Sequence, residues 1–351
     1  MTNHPAEKEN PLISRVGVVN WDCSLPMNTF FGRYAARSLS PEKYRDRTPY
    51  YAHRTAPDQI EYHTRTVAEY ETEMRYAIEA GIDYFAYCWY DSEPKSEHLV
   101  DDMAATVDAH VAELVYARRL HLQSPLREQL HYCAILITSH PYSDTELQEL
   151  IRTMNDPGYE KIDGRPLVWL FPGKWRDLIV RLRQLCREAG QPEPYAVLLT
   201  SCSELTPDDA DIVQAVCAYA CLAETATWED FNAANIAQNE DRLRYGWPCV
   251  PHFSVGWDPG PRVLNPVPWV AYPEGPYAPP CTREQLLTGA QTFKDWVSRN
   301  RSQCVPGHVL VFAWNEFEEG AWICPSLGAD DRPDFSRRDA FADAVSLWRS
   351  C

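Results

Sequence analysis

The chain has 351 residues, enough for one large domain or two small ones, which excludes a miniprotein held together by disulfides. Hydrophobic residues make up 45% and charged residues 24% of it, so intrinsic disorder and collagen-like repeats are also excluded. The formal net charge of -17 argues against nucleic acid and anionic membrane surfaces as partners.

No apolar stretch approaches the ~20 residues that a membrane span needs, and residues 1–10 are polar, without the apolar core of a signal peptide. As written, the sequence therefore predicts a cytoplasmic protein, or a secreted or periplasmic one if a signal has been trimmed. The twelve cysteines are scattered, with no Cys-x-x-Cys pair, and we expect most of them to be buried thiols.

Eight short apolar runs of strand length recur along the chain. They are Val16 to Trp21, Ile82 to Tyr90, Tyr132 to Thr138, Pro166 to Phe171, Tyr195 to Thr200, Val213 to Cys221, Val250 to Val255 and His308 to Trp314. Several are apolar throughout, which is typical of parallel strands covered on both faces.

Segments with helical spacing lie between most of these runs. The clearest begins at Thr282, with Gln285 three residues later in the pattern of a capping box, and others follow Asp58 and Pro333. Strand and helix alternate without a change of composition, so we predict an α/β protein that forms a single (β/α)8 TIM barrel over residues 1–351. An open doubly wound sheet is the alternative, but no Gly-x-Gly-x-x-Gly follows any run.

In such a barrel the active site is built by the segments that follow the carboxyl ends of the strands. The loops predicted after the first and seventh strands, residues 21–58 and 256–281, are long and rich in aromatic residues, and long loops in compact domains are usually functional. Candidate ligand-binding residues near the strand ends are Trp21, Asp22, Trp89, Tyr90, Asp91, His140, Trp257, Asp258, Arg262 and Trp322. Flat aromatic faces beside polar groups favour an uncharged polyhydroxylated ligand, although each aromatic alone is more often a core residue.

The sharpest local signal follows the eighth run, where Glu316, Glu318 and Glu319 occupy three of four consecutive positions. Burial and mutual repulsion raise carboxyl pKa values, so this cluster costs stability unless a ligand, a counter-ion or shared protons offset it. Two carboxyls of which one is ionised and one protonated are what cleavage of a glycosidic bond requires. The alternatives are that Glu318 and Glu319 begin a helix and that Glu316 pairs with an arginine. We predict no metal or cofactor, because the histidines lack ligand spacing.

Three segments carry a resemblance to a known family. The residues Asn315-Glu316-Phe317-Glu318-Glu319-Gly320 resemble the final-strand motif Asn-Glu-Trp-x-Glu-Gly of glycoside hydrolase family 99 and the related WbsX-like proteins. The run Gly256-Trp257-Asp258-Pro259-Gly260-Pro261-Arg262 is similar to their Gly-Trp-Asp-Asn-Thr-Pro-Arg, and residues 77–85 match their entry to the second strand. The resemblance implies a (β/α)8 barrel that cleaves α-linked oligo- or polysaccharides such as mannosides.

The resemblance also implies roles for single residues. In that family the first Glu of the motif takes the proton from the sugar 2-hydroxyl, giving a 1,2-anhydro intermediate and overall retention, and the second Glu serves as acid and then base. Glu316 would then be the base and Glu319 the acid/base, with Asn315 and Arg262 close to the substrate. Phe317 and Glu318 depart from the family pattern, which leaves the sugar, the linkage and endo or exo action open.

Two other functions stay open at this stage. One is glycosyl transfer in surface-polysaccharide assembly, which would use the same pocket. The other is a non-catalytic carbohydrate-binding barrel, which would have no need for both Glu316 and Glu319. Oligomeric state is not predicted.

Overall fold

Eight parallel strands form the centre of the molecule. The computed structural model describes residues 11–90, 103–138, 141–200 and 205–350, without the side chains of residues 103–106. The strands are β1 (Ile13–Asn20), β2 (Tyr84–Trp89), β3 (His131–Leu136), β4 (Arg165–Leu170), β5 (Tyr195–Leu198), β6 (Ala215–Val216), β7 (His252–Ser254) and β8 (Gly307–Phe312). Each predicted run overlaps one of them, and β6 is the shortest, with two residues.

The strands pair side by side in the order β7-β8-β1-β2-β3-β4-β5-β6. The two ends of this order also meet, because Val216 and Cys249 form a parallel bridge. There the Val216 amide donates to the Pro248 carbonyl at 2.9 Å, and the Val250 amide donates to the Val216 carbonyl at 2.8 Å. The sheet is therefore curled, as in TIM-barrel-like folds.

Helices follow most of the strands. They are α1 (Phe30–Leu39), α2 (Val67–Glu79), α3 (Met103–His110), α4 (Tyr116–Gln123), α5 (Asp144–Thr153), α6 (Trp175–Glu188), α7 (Trp228–Leu243), α8 (Gly260–Leu264), α9 (Arg283–Arg299) and α10 (Ser336–Arg349). The predicted capping box is confirmed at α9, where the Thr282 side chain accepts from the Gln285 amide. Helices α2 and α10 confirm the two other predicted helices.

The segment after β1 is more ordered than the predicted loop. It contains α1, whose cap Thr29 accepts from the Gly32 amide, and a short antiparallel pair, His53–Ala56 with Gln59–Glu61. The prediction of a loop was wrong for α1, because that helix buries Phe31 and Leu39 against other elements, which a local pattern does not reveal. The segment after β7 likewise carries α8.

The core lies within the sheet and between the sheet and the helices. Valines such as Val18 and Val311 stand opposite each other in β1 and β8, where β-branched side chains pack well. Outside the sheet, Phe293 of α9 and Trp348 of α10 pack with ring centroids 5.3 Å apart. Because β8 lies between β7 and β1, the segments that follow these three strands come together at one end of the sheet.

The described cysteines are free thiols, and all but Cys281 are buried, as predicted, whereas Cys202 and Cys351 lie outside the described residues. Across the described ranges, no helix combines the length and apolar character that a membrane crossing demands.

Candidate active site

The three clustered glutamates lie in a tight reversal just beyond β8. Residues Asn315–Glu316 pair antiparallel with Ala321–Trp322, and a 3₁₀ turn, Phe317–Glu319, connects them. Gly320 closes the turn with φ of 72°, a conformation that favours glycine. Glu318 therefore does not begin an α-helix, as one alternative held, and all three carboxyls are brought to one place.

Arg262, from α8 in the segment after β7, lies between these carboxyls and is 3% exposed. Its Nε donates to Glu318 Oε2 at 2.7 Å, and its Nη1 donates to Glu319 Oε1. Its Nη2 is 3.6 Å from Glu316 Oε2, too far for a hydrogen bond. Within the described part of the chain, this Nη2 has no hydrogen-bond partner. One cation is thus shared unequally among three acids, which we call the Arg262 cluster.

The carboxyls of the Arg262 cluster are nearly inaccessible, with exposed fractions of 3%, 2% and 6% for Glu316, Glu318 and Glu319. Two further donors reach them from other segments. The Tyr272 hydroxyl donates to Glu319 Oε1 at 2.5 Å, and the Cys23 thiol donates to Glu318 Oε1 at 3.4 Å. Glu316 is the least supported of the three carboxyls.

Aromatic rings support the arginine from the side. The guanidinium carbon of Arg262 lies 5.1 Å from the ring centroid of Trp21 and 5.8 Å from that of Trp269. Cation–π attraction at these distances stabilises a buried guanidinium. The arginine is consequently held by residues from the segments after β1, β7 and β8.

Two glycines let the segments after β7 and β8 touch. A Cβ on Gly256 would lie 2.2 Å from the Gly320 carbonyl oxygen, so only glycine fits there. At the same contact the Asp258 amide donates to the Glu319 carbonyl at 2.6 Å. This backbone contact fixes the position of Glu319 relative to Arg262.

The electrostatic environments of Glu316 and Glu319 differ. Burial raises the pKa of Glu316 well above its usual value, and the charge of Glu319 raises it further against the opposing effect of Arg262. Burial also raises the pKa of Glu319, but Arg262 and the Tyr272 hydroxyl stabilise its ionised form. Glu319 thus has two hydrogen-bond donors that favour its ionised form, whereas the nearest nitrogen of Arg262 is 3.6 Å from Glu316.

Some of the predicted ligand-binding residues join this cluster. Trp21 contacts Arg262, and the Asn315 side chain accepts from the Trp21 amide at 3.1 Å and donates to Asn20 at 3.2 Å. Trp257 packs edge to face on Tyr272 with centroids 5.5 Å apart. These contacts bring the two aromatics and the amide beside the carboxyls.

Other predicted residues have structural partners instead. Asp22 is ion-paired with buried Arg65, and Asp258 with Arg47. The Trp89 indole donates to Glu146, and Arg118 covers its ring at 3.6 Å, while the Trp322 ring is covered by Arg337 at 4.0 Å. These contacts satisfy the polar groups of the four residues, because burial demands that polar groups be paired.

Three more predicted residues remain: Tyr90, Asp91 and His140. Tyr90 is partly exposed, and burial, with a smaller contribution from the charge of Glu316, raises its pKa well above its usual value. Asp91 and His140 lie outside the described residues. His252 is fully buried in β7, and its amide donates to Asn239.

Tyr272, Cys23 and Trp269 were missed as members of the cluster. Tyr272 and Trp269 belong to a segment with many aromatics and prolines, in which no spacing distinguishes one aromatic from another. Cys23 follows Asp22, and only the pairing of β1 with β8 brings it to Glu318. Among the described residues, no group of three or more His, Cys, Asp or Glu is placed to hold a metal ion.

Comparison with known proteins finds similarity in structure alone. No family profile matches the sequence, and no curated protein is significantly similar to it. A structure of the GH99 endo-alpha-mannosidase from Bacteroides thetaiotaomicron, in complex with bis-tris-propane, is similar with a TM-score of 0.54 at 12% identity, covering 95% of this chain and 97% of that one. A second structure of that enzyme gives 0.51 at 13% identity, over 82% and 81%. At such identities the likeness shows a shared fold.

Proposed function

We propose that the protein is a glycoside hydrolase that cleaves α-linked glycans with retention, using Glu316 and Glu319. The observation that carries the proposal is the Arg262 cluster, in which two carboxyls three residues apart share one cation that fully bonds only one of them. Buried carboxyls with separated proton affinities are the requirement for acid and base catalysis at a glycosidic bond. The fold shared with an endo-alpha-mannosidase agrees with this reaction class, while the sugar is left to experiment.

The proposed roles follow the family resemblance. Glu316 accepts the proton of the sugar 2-hydroxyl while that oxygen attacks the anomeric carbon, the glycosidic bond breaks, and Glu319 gives its proton to the leaving oxygen. Water then attacks the anomeric carbon of the 1,2-anhydro sugar, Glu319 takes a proton from it, and Glu316 returns its proton to the 2-oxygen. Both carboxyls finish in their starting states.

These roles need Glu316 ionised and Glu319 protonated, whereas the hydrogen bonds from Arg262 and Tyr272 favour ionised Glu319. We therefore propose that productive binding shifts Arg262 from Glu319 toward Glu316, to which its Nη2 already points from 3.6 Å. An opposite charge at closer range lowers the pKa of a carboxyl, and its withdrawal raises the pKa of the other. The proton can then move from Glu316 to Glu319.

The test is a screen of the protein against a panel of α-linked oligo- and polysaccharides, with NMR of the first sugar released. We expect cleavage of at least one glycan, with the anomeric configuration retained. Inverted product would remove the 1,2-anhydro route. Binding without cleavage across the panel would favour the carbohydrate-binding barrel, and transfer from nucleotide sugars to acceptors would favour the transferase.

A further inference from the structure

Glu318 is the acid of the cluster that the proposed reaction does not use. Its Oε2 accepts from Arg262 Nε at 2.7 Å, and its Oε1 accepts from the Cys23 thiol at 3.4 Å. Both oxygens are therefore occupied, and the side chain is 2% exposed. The carboxylate is therefore held in place by a donor on each oxygen.

Arg262, in contrast, has one guanidinium nitrogen without a hydrogen-bond partner among the described residues. With Nε on Glu318 and Nη1 on Glu319, its Nη2 lacks a partner among the described residues although the side chain is 3% exposed. Buried donors without partners are rare, and in native proteins they call for an explanation. Here the unpartnered Nη2 lies 3.6 Å from Glu316 Oε2.

We propose that Glu318 is a positioning residue, resting on the proposed hydrolase function: it anchors Arg262 through Nε, so that Nη2 stays directed at Glu316 to bind a substrate hydroxyl. Because Nε is fixed, a small rotation of the guanidinium changes which of Glu316 and Glu319 it stabilises. Glu318 also adds a negative charge beside both carboxyls, so it keeps both of them more readily protonated.

The groups that face Glu318 come from three segments. Cys23 and Tyr62 lie on the segment after β1, and Arg262 on the segment after β7. Its own segment adds Glu316 and Glu319. Arg262 provides the only cation among these facing groups of the described residues, so the protonation of the cluster depends on how Glu318 shares that charge.

Glu318→Gln and Glu318→Leu separate the two functions of this side chain. Glutamine keeps an oxygen for Arg262 Nε but removes the charge, so in protein labelled with ¹³C at the glutamate carboxyls we expect the pKa values of Glu316 and Glu319 to fall by about one unit. Leucine removes the acceptor as well, so the Arg262 Nε–H, followed by ¹⁵N NMR, should lose its protection from exchange with water. Glu316→Gln and Glu319→Gln assign the carboxyl signals.

Glu160→Gln is the matched control. Glu160 is also a buried glutamate bound to an arginine, since it accepts from Arg15 Nε at 2.9 Å, but it lies beside the amino end of β1. The Glu160→Gln substitution should change neither the pKa values of Glu316 and Glu319 nor the exchange rate of the Arg262 Nε–H. Unchanged carboxyl pKa values in Glu318→Gln, or an unchanged Arg262 exchange rate in Glu318→Leu, would overturn the positioning role. Both readouts are free of substrate, so a failure of the hydrolase proposal would appear separately in the glycan screen.

Discussion

Two buried arginines show how the same residue types can make either a structural support or a candidate site. Arg65 lies between Asp22 and Glu73, and each carboxylate has a second donor, the Ser24 amide at 3.1 Å and the Trp314 indole at 2.8 Å. The Arg262 cluster has one more acid and one guanidinium nitrogen without a partner among the described residues.

The difference lies in how far the hydrogen bonds are completed. Removing one partner of a saturated buried ion pair lowers the stability of the fold, because the other partner is left charged in the protein interior. Burial raises the pKa of the acids in both groups, but the unsaturated cluster also keeps a donor that a ligand can use. The Arg65 group is therefore expected to support the fold, and the Arg262 cluster to carry the chemistry.

The largest effect on the cleavage rate is expected from the variant that lacks the proposed acid. Glu319→Gln removes the proposed acid, so cleavage of a natural glycan should fall by about 10²–10⁴-fold. An aryl glycoside whose leaving group needs no proton should recover most of that loss in the first turnover, as measured by the burst of released phenol, because Glu319 is needed again for the attack of water. Glu316→Gln should be slow on both substrates, and recovery in Glu316→Gln rather than Glu319→Gln would mean that the two roles are reversed.

The next effect concerns the Arg65 group. Glu73→Gln leaves Arg65 paired with Asp22 but weakens its second ion pair and the contact with Trp314, so it should reduce the free energy of unfolding by about 1–3 kcal/mol. Urea unfolding followed by tryptophan fluorescence measures this. A variant as stable as the parent would show that this group is not the support we describe.

Glu316→Gln should act in the opposite direction on stability. Folding raises the pKa of Glu316, so the folded protein keeps a proton there that the unfolded chain has lost, and stability falls as pH rises through the interval between the two pKa values. Each unit of this shift costs about 1.4 kcal/mol above the folded pKa. The glutamine variant should therefore exceed the parent in stability more at pH 8 than at pH 5, and an equal gain at both pH values would contradict the raised pKa.

The smallest effect is expected from the tyrosine of the cluster. Tyr272→Phe removes one of the donors that stabilise ionised Glu319, so the pKa of Glu319 should rise and the alkaline limb of kcat/KM should move to higher pH. The rate at the optimum should change by about tenfold or less, in line with the net contribution of one hydrogen bond. An unmoved alkaline limb would separate Tyr272 from the titration of Glu319.

The elements of this fold were predictable where the signal is local. The eight apolar runs predict strands and the capping box at Thr282 predicts a helix, in each case from a few consecutive residues. Helix α1 was not predictable, because its burial depends on segments distant in sequence.

The same division holds at the site. Glu316 and Glu319 were evident from three acids in four positions, and Arg262 from a family-like run. Tyr272 and Cys23 reach the cluster through strand order and loop packing, and the partner of Asp22 is Arg65, 43 residues away in the sequence. Long-range pairing decides which polar residue is free, and spacing along the chain does not record it.

The most direct test of the whole account is a rate comparison on the best substrate from the glycan screen. The parent, Glu316→Gln, Glu319→Gln and the support variant Glu73→Gln would be assayed at a temperature at which all four remain folded. We expect the first two variants to lose at least a hundredfold in kcat/KM, and Glu73→Gln to stay within a few-fold of the parent. Near-parental rates in either Glu316→Gln or Glu319→Gln would contradict the assignment of the chemistry to the Arg262 cluster.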